Sequence, residues 1–292
     1  MSGKAGHGHN SAARCAATPR SDEAPSRGPA LVEGVGTAIS WLSIIPCRGA
    51  HFFDRTTGGR AMAAMPVVGL ILAAPTAALV ALAAAYPDLR LLAAVAVVST
   101  WQLLTRGMHV DGLADVGDAL GSYAPPQRAQ EILADRYTGA LGAATMVLTL
   151  AVQTAAVYVL SGCGAAGVAL ISALPFGARI AATWGATHSH RPQKTTGFGG
   201  LIVGTIARWI PLLWAAVATC ALWAILFPIA GSISPIIAVA TLVGFALPAG
   251  FLWPVFDRRF GGLNGDCFGA VIELSTAAAA TVLSIVCVVA GV

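Results

Sequence analysis

Residues 62–86 read MAAMPVVGLILAAPTAALVALAAAY, 25 positions without one charged side chain. A helix of that length rises about 37 Å, enough to cross the ~30 Å hydrocarbon core of a bilayer. The same texture recurs at roughly 89–106, 139–161, 164–187, 206–230, 234–256 and 268–291. Hydrophobic residues make up 57% of the 292-residue chain and charged ones only 10%, with a mean hydropathy of +0.76. That composition excludes a pair of soluble domains. It predicts an all-α polytopic transmembrane helical bundle with about seven spanning helices.

Residues 31–46, LVEGVGTAISWLSIIP, are apolar but short and carry Glu33. They are expected to form an interfacial or re-entrant helix. Residues 1–30 are rich in Gly, Ser, Ala, Pro, Arg and His and are predicted to be a disordered tail with no signal-peptide core. Residues 31–292 are then one membrane-embedded domain. The six cysteines show no CxxC spacing, so neither a redox nor a zinc motif is read from them.

The connections alternate in charge. Those at 46–61, 106–138, 188–205 and 257–267 hold most of the arginines, and the turns between them hold Arg90 alone. By the positive-inside rule the four long loops face the cytoplasm and the C-terminus lies outside. No internal repeat is evident, which weakens a transporter built on inverted halves. No nucleic acid is expected as a partner; the lipid bilayer is one, and homo-oligomerisation is left open.

The charge that remains is concentrated at 105–142, TRGMHVDGLADVGDALGSYAPPQRAQEILADRYTGALG. Asp111, Asp115 and Asp118 fall at i, i+4 and i+7, on one helical face, where like charges repel unless a cation offsets them. Glu131 and Asp135 repeat the i, i+4 spacing after Pro125-Pro126. Two short helices hinged at the prolines would point five carboxylates at one spot. Such oxygen ligands suit Mg²⁺, which takes one or two carboxylates and completes its shell with water and substrate phosphate. A solvated polar loop is the plainer alternative.

The loop HSHRPQKTTGFGG, 188–200, combines His188, His190, Arg191 and Lys194 with Gly197, Gly199 and Gly200. Backbone amides freed by glycine can approach a phosphate, and Lys194 would add charge. The 257–273 stretch, DRRFGGLNGDCFGAVIE, repeats the theme with Arg258, Arg259 and Asp266. Glu273 lies two turns into an apolar segment, and Arg179 lies similarly deep in its own. Ionisable groups at such depth read as functional, with a structural Arg179–Glu273 ion pair as the alternative. Acids for a metal, cations and glycines for phosphate, and a bundle beneath suggest phosphoryl transfer. His109, beside the acidic face, is the candidate base.

The residues at 108–122, MHVDGLADVGDALGS, and 131–142, EILADRYTGALG, resemble the signature of the cobalamin synthase family, the adenosylcobinamide-GDP ribazoletransferases. ISWLSIIPCR at 39–48, Arg60 with Pro66 and Gly69, Arg179, and GGLNGDCFGAVIEL at 261–274 are similar to further family motifs. The resemblance covers about 36–292. It implies a Mg²⁺-dependent integral enzyme of the prokaryotic cytoplasmic membrane. In that family a ribosyl hydroxyl of α-ribazole, or of its 5′-phosphate, attacks the phosphate carried by cobinamide in adenosylcobinamide-GDP. Adenosylcobalamin or its phosphate forms and GMP leaves.

By position, the resemblance makes Asp111, Asp115, Asp118 and Asp135 the metal candidates and His109 and Glu131 the catalytic ones. Arg60, Arg179, Gly265, Asp266 and Glu273 would serve the substrate, together with Arg136, whose cation is displaced by one position. Lys194 joins them on the composition of its loop alone. The chain departs from the family pattern at Arg106 and Ala119, where glycines are usual, and at Asn264, where threonine is. Ala119 is expected to stiffen a turn. A CDP-alcohol phosphotransferase would need Ala-Arg after Asp111-Gly112, which is absent. A transporter would place its acids in mid-helix.

Overall fold

The computed structural model describes residues 28–291, so the expected disordered tail lies outside the described residues up to residue 27. Eleven α-helices are described: α1 (Ala30–Leu42), α2 (Arg55–Ala85), α3 (Arg90–Leu104), α4 (Met108–Gly121), α5 (Pro126–Leu133), α6 (Ala140–Leu160), α7 (Gly164–Thr183), α8 (Gly197–Ile202), α9 (Trp209–Ala230), α10 (Ser234–Phe260) and α11 (Gly265–Ala290). Among the described residues there is no β-strand, only the isolated bridges Thr187–Ile206 and Pro192–Leu263.

Five helical stretches have the length and apolarity to cross a membrane, and six if α3 and α4 are taken as one bent span. One of the five, Trp209–Phe260, folds back on itself at Gly231 (φ 54°). The Arg208 Nε–H donates to Ser189 Oγ at 2.8 Å, and Asp257 meets His190 at 2.9 Å. Both ends of the run thus reach one loop, and α9 and α10 are the arms of a hairpin. The expected segments map onto α2, α3, α6, α7, α9, α10 and α11.

Three local differences have physical causes. Helix α2 starts at Arg55, ahead of the apolar run, because Asp54 accepts from the Thr57 N–H at 2.9 Å and caps it. The 89–106 segment is a helix of only 15 residues, about 22 Å long. It ends where Arg106 (φ 57°) and Gly107 (φ 66°) both turn left-handed, and α4 leaves at 91° to α3. Helix α4 therefore crosses the end of the bundle and does not continue through it. Ala119 lies buried inside α4, in helix and not in the turn that was expected there.

Helix α11 is the hub, packing on α4, α6, α7 and α10, while α2 packs on α7 and α1. Small residues permit these approaches, as between helices in lipid. Helix α1 is short, as expected; the Ile44 N–H donates to Leu104 O at 2.9 Å, tying its exit to the end of α3.

Candidate active site

The four polar connections meet at one end of the bundle. Arg55 at the start of α2 donates to the carbonyls of Gly200 and Val203 in the 188–205 loop. That loop pairs with the 257–267 connection through Gln193 N–H to Leu263 O (2.9 Å) and Leu263 N–H to Arg191 O (3.0 Å). Arg259 donates to Ala124 O in the turn after α4. Between these elements lies a cavity of about 710 Å³. Its lining includes the apolar Trp41, Met62, Met65, Phe198 and Phe268 together with His109, Asp111 and Asp266. Arg106, Lys194, Gln193 and Asn264 supply the other polar groups.

The acidic side is built by a crossing of α4 and α11 in backbone contact. A Cβ on Gly112 would stand 2.7 Å from Asp266 Cα, and one on Gly269 would stand 2.7 Å from His109 O. Two glycines, one on each helix, therefore bring Asp111 and Asp115 up to Asp266. Asn264 caps α11 by accepting from the Cys267 N–H at 3.2 Å, and its Nδ2 donates to Asp266 at 2.6 Å. Asn264 thus both starts the helix and orients the acid. Gly265 is the first residue of α11 and lines the cavity.

Asp115 is half-buried. Burial first, and then the nearby carboxylates of Asp266, Asp111, Asp118 and Asp135, push its carboxyl up to about 7. Five acids therefore share one field, with Asp266 among them and Glu131 outside it. Glu131 points away: it pairs with Arg128 at 2.7 Å, both side chains about two-thirds exposed. It does not line the cavity, and neither does Arg136, which is exposed. Asp118 spends its oxygens on the N–H groups of Gly139 (2.6 Å) and Gly142 (2.8 Å), at the start of α6. Asp135 accepts from the Tyr137 N–H at 3.2 Å.

Among the described residues, no three Asp, Glu, His or Cys side chains are close enough to hold a metal ion by themselves. Mg²⁺ needs no such cage, since one or two carboxylates with water and phosphate suffice. The mutual repulsion at Asp115 supplies the uncompensated negative charge that a cation fits.

His109 is 5% exposed. Burial, and secondly the Arg179 guanidinium, hold its imidazole well below the usual value. It is therefore neutral, the form that can accept a proton. Arg60 sits elsewhere, paired with Glu33 at 3.1 Å. Arg179 and Glu273 lie beneath the cavity and not in its wall. Arg179 and Glu273 attract each other, but among the described residues no direct contact joins them. Glu273 instead accepts from Gln102 Nε2 (3.1 Å) and Gln153 Nε2 (2.7 Å). Those glutamines were missed in the sequence, although Gln153 is a lone amide within an apolar span and so carried a signal.

A family model described as cobalamin-5-phosphate synthase matches residues 34–284. The chain belongs to the cobalamin synthase family. Curated relatives agree over nearly their whole length. A protein of Corynebacterium efficiens named adenosylcobinamide-GDP ribazoletransferase is 45% identical, covering 90% of this chain and 94% of the relative. Proteins of the same name from Corynebacterium diphtheriae (36% identical, 88% and 93% covered) and Frankia casuarinae (34%, 85% and 93%) extend the set. No solved structure matches the chain. Cobalamin synthases are transferases of cobalamin formation, and membership favours neither the CDP-alcohol nor the transporter alternative. The multiple long apolar helices make this cobalamin synthase a membrane protein.

Proposed function

We propose that this cobalamin synthase transfers the cobinamide-phosphate group of adenosylcobinamide-GDP to α-ribazole or α-ribazole 5′-phosphate. The observation that carries the reading is the cavity at the α4–α11 crossing, where His109, Asp111 and Asp266 share one lining with Arg106, Lys194 and apolar side chains. The family relatives named for this reaction support the choice of substrates.

Each group has a part in a displacement at phosphorus. The apolar lining of Trp41, Phe198 and the methionines suits the flat, apolar base of the acceptor nucleoside. Lys194 and Arg106 attract the diphosphate. His109 takes the proton of the ribosyl hydroxyl as its oxygen bonds to the phosphorus attached to cobinamide. The bond from that phosphorus to the bridging oxygen breaks, and GMP departs with the electron pair. Asp111 and Asp266, with water and substrate phosphate completing the shell, would hold Mg²⁺, which when bound neutralises phosphate charge; Asp115 stands beside them. Asp118 and Asp135 extend the negative field.

The arginine-rich loops support a cytoplasmic placement of this site, in the inner membrane of a prokaryote, with the C-terminus outside. The test is product identification. Reconstituted protein given both substrates is expected to yield a species whose mass is cobinamide phosphate joined to ribazole. Formation of a cytidine-derived ester from a CDP-alcohol, with no corrinoid product, would contradict the reading.

A further inference from the structure

Beneath the cavity lies a separate chamber of about 10 Å³, lined by Gln102, His109, Arg179 and Glu273 among others. That is close to the ~10–15 Å³ that one water needs. Three polar atoms of its lining residues are buried without a hydrogen-bond partner: His109 Nε2, Arg179 Nε and Gln102 Oε1. Their side chains come from α4, α7 and α3, so no local turn explains them. Orphaned buried groups are costly and rare, and several around one small void point to a shared partner.

Glu273, 4% exposed, also lines the chamber. Two of its neighbours donate to its carboxylate, Gln102 from α3 and Gln153 from α6. Among the described residues it makes no direct ion pair with Arg179. A single water between them completes the set. It would accept from the Arg179 Nε–H and the His109 Nε2–H, and donate to Gln102 Oε1 and the Glu273 carboxylate. Four hydrogen bonds would saturate it, within the two to four that buried waters make.

We propose that Gln102 and Glu273 are positioning residues for His109, acting through one buried water in this chamber. The water fixes the imidazole tautomer: with the proton held on Nε2, the Nδ1 lone pair is the one left for the cavity. His109 lines both spaces, so a tautomer set below decides which nitrogen serves above. The inference rests on the role of His109 in the proposed reaction, and its first readout is independent of that reaction.

The sequence has six histidines, so ¹⁵N-histidine labelling of the full chain in lipid gives few ring signals, with His109 assigned by His109→Asn. At neutral pH the expected shifts are pyrrole-like for Nε2 and pyridine-like for Nδ1. Gln102→Met and Glu273→Gln are expected to redistribute the tautomers. Each should lower kcat roughly 10- to 100-fold with KM nearly unchanged. The two variants keep side-chain volume, and the labelled spectrum itself reports whether each folds. A wild-type His109 carrying its proton on Nδ1 would overturn the inference. So would folded variants with unaltered tautomer and kcat. If wild-type protein shows the expected tautomer yet transfers nothing, the functional reading fails and the positioning stands.

Discussion

Gly112 lies against the backbone of Asp266, so close that a Cβ would sit 2.7 Å from its Cα and 2.9 Å from its carbonyl oxygen. The contact is backbone on both sides, and neither atom can swing away as a flexible side chain would. Gly112→Ala is expected to push α4 off α11, at a cost of about 1–3 kcal/mol. The acids would separate, and activity should fall further than stability. Thermal melting and kcat measured together check this. A variant with wild-type activity would show that the crossing does not set the site.

Asp115 gives a pH dependence. Its folded carboxyl is raised to about 7 from an ordinary 3.8. Between those values the unfolded chain is ionised while the folded chain holds the proton, so stability falls as pH rises from about 4 to about 7. Because the half-buried side chain is still screened by solvent, the effect is expected to be modest. Asp115→Asn should flatten that limb of the melting profile. Added Mg²⁺ should flatten it as well, by offsetting the repulsion. A wild-type profile that rises over the same range would contradict the acidic field described here.

Asp118 separates a structural from a ligand role. Its oxygens accept from Gly139 and Gly142 at the positive end of α6. Asp118→Ala should therefore destabilise the fold by about 1–3 kcal/mol, while Asp118→Asn, which keeps one acceptor, should cost less. If both variants melt like wild type and lose activity together, Asp118 serves the metal and not the helix.

The arginine at 106 adopts φ 57°, a conformation that costs a non-glycine residue about 1–2 kcal/mol. The Arg106 guanidinium donates to Trp41 O at 2.7 Å and lines the cavity. Arg106→Gly is expected to leave stability within about 1 kcal/mol of wild type, as relief of strain offsets the lost hydrogen bond. KM for the diphosphate donor should rise roughly tenfold. Unchanged KM would place the cation outside the binding role.

Much of this architecture could be read from the chain because lipid imposes long apolar helices, and hydropathy registers their length. The two short helices on either side of Pro125-Pro126 and the charge shared by Asp111, Asp115 and Asp118 were legible from spacing. Spacing did not reveal the 91° departure of α4, since that turn rests on two left-handed residues, one of them an arginine. Glu131 shares a helical register with Asp135, but α5 ends at Leu133, so the two never share a face. The Gln102–Glu273–Gln153 cluster joins three helices far apart in sequence, and no local pattern encodes it. Arg179 and Glu273 were recognised as out of place by depth alone, but their partners were not.

The central claim is a metal-assisted transfer at the acidic crossing. Its most direct test is GMP release from adenosylcobinamide-GDP by purified, lipid-reconstituted protein, with α-ribazole or its phosphate, with and without Mg²⁺. Asp111→Asn runs alongside. The account predicts release that requires both ribazole and Mg²⁺ and falls on the order of 100-fold or more in the variant. Release that ignores Mg²⁺ and survives Asp111→Asn, or none at all from folded wild-type protein, would contradict it.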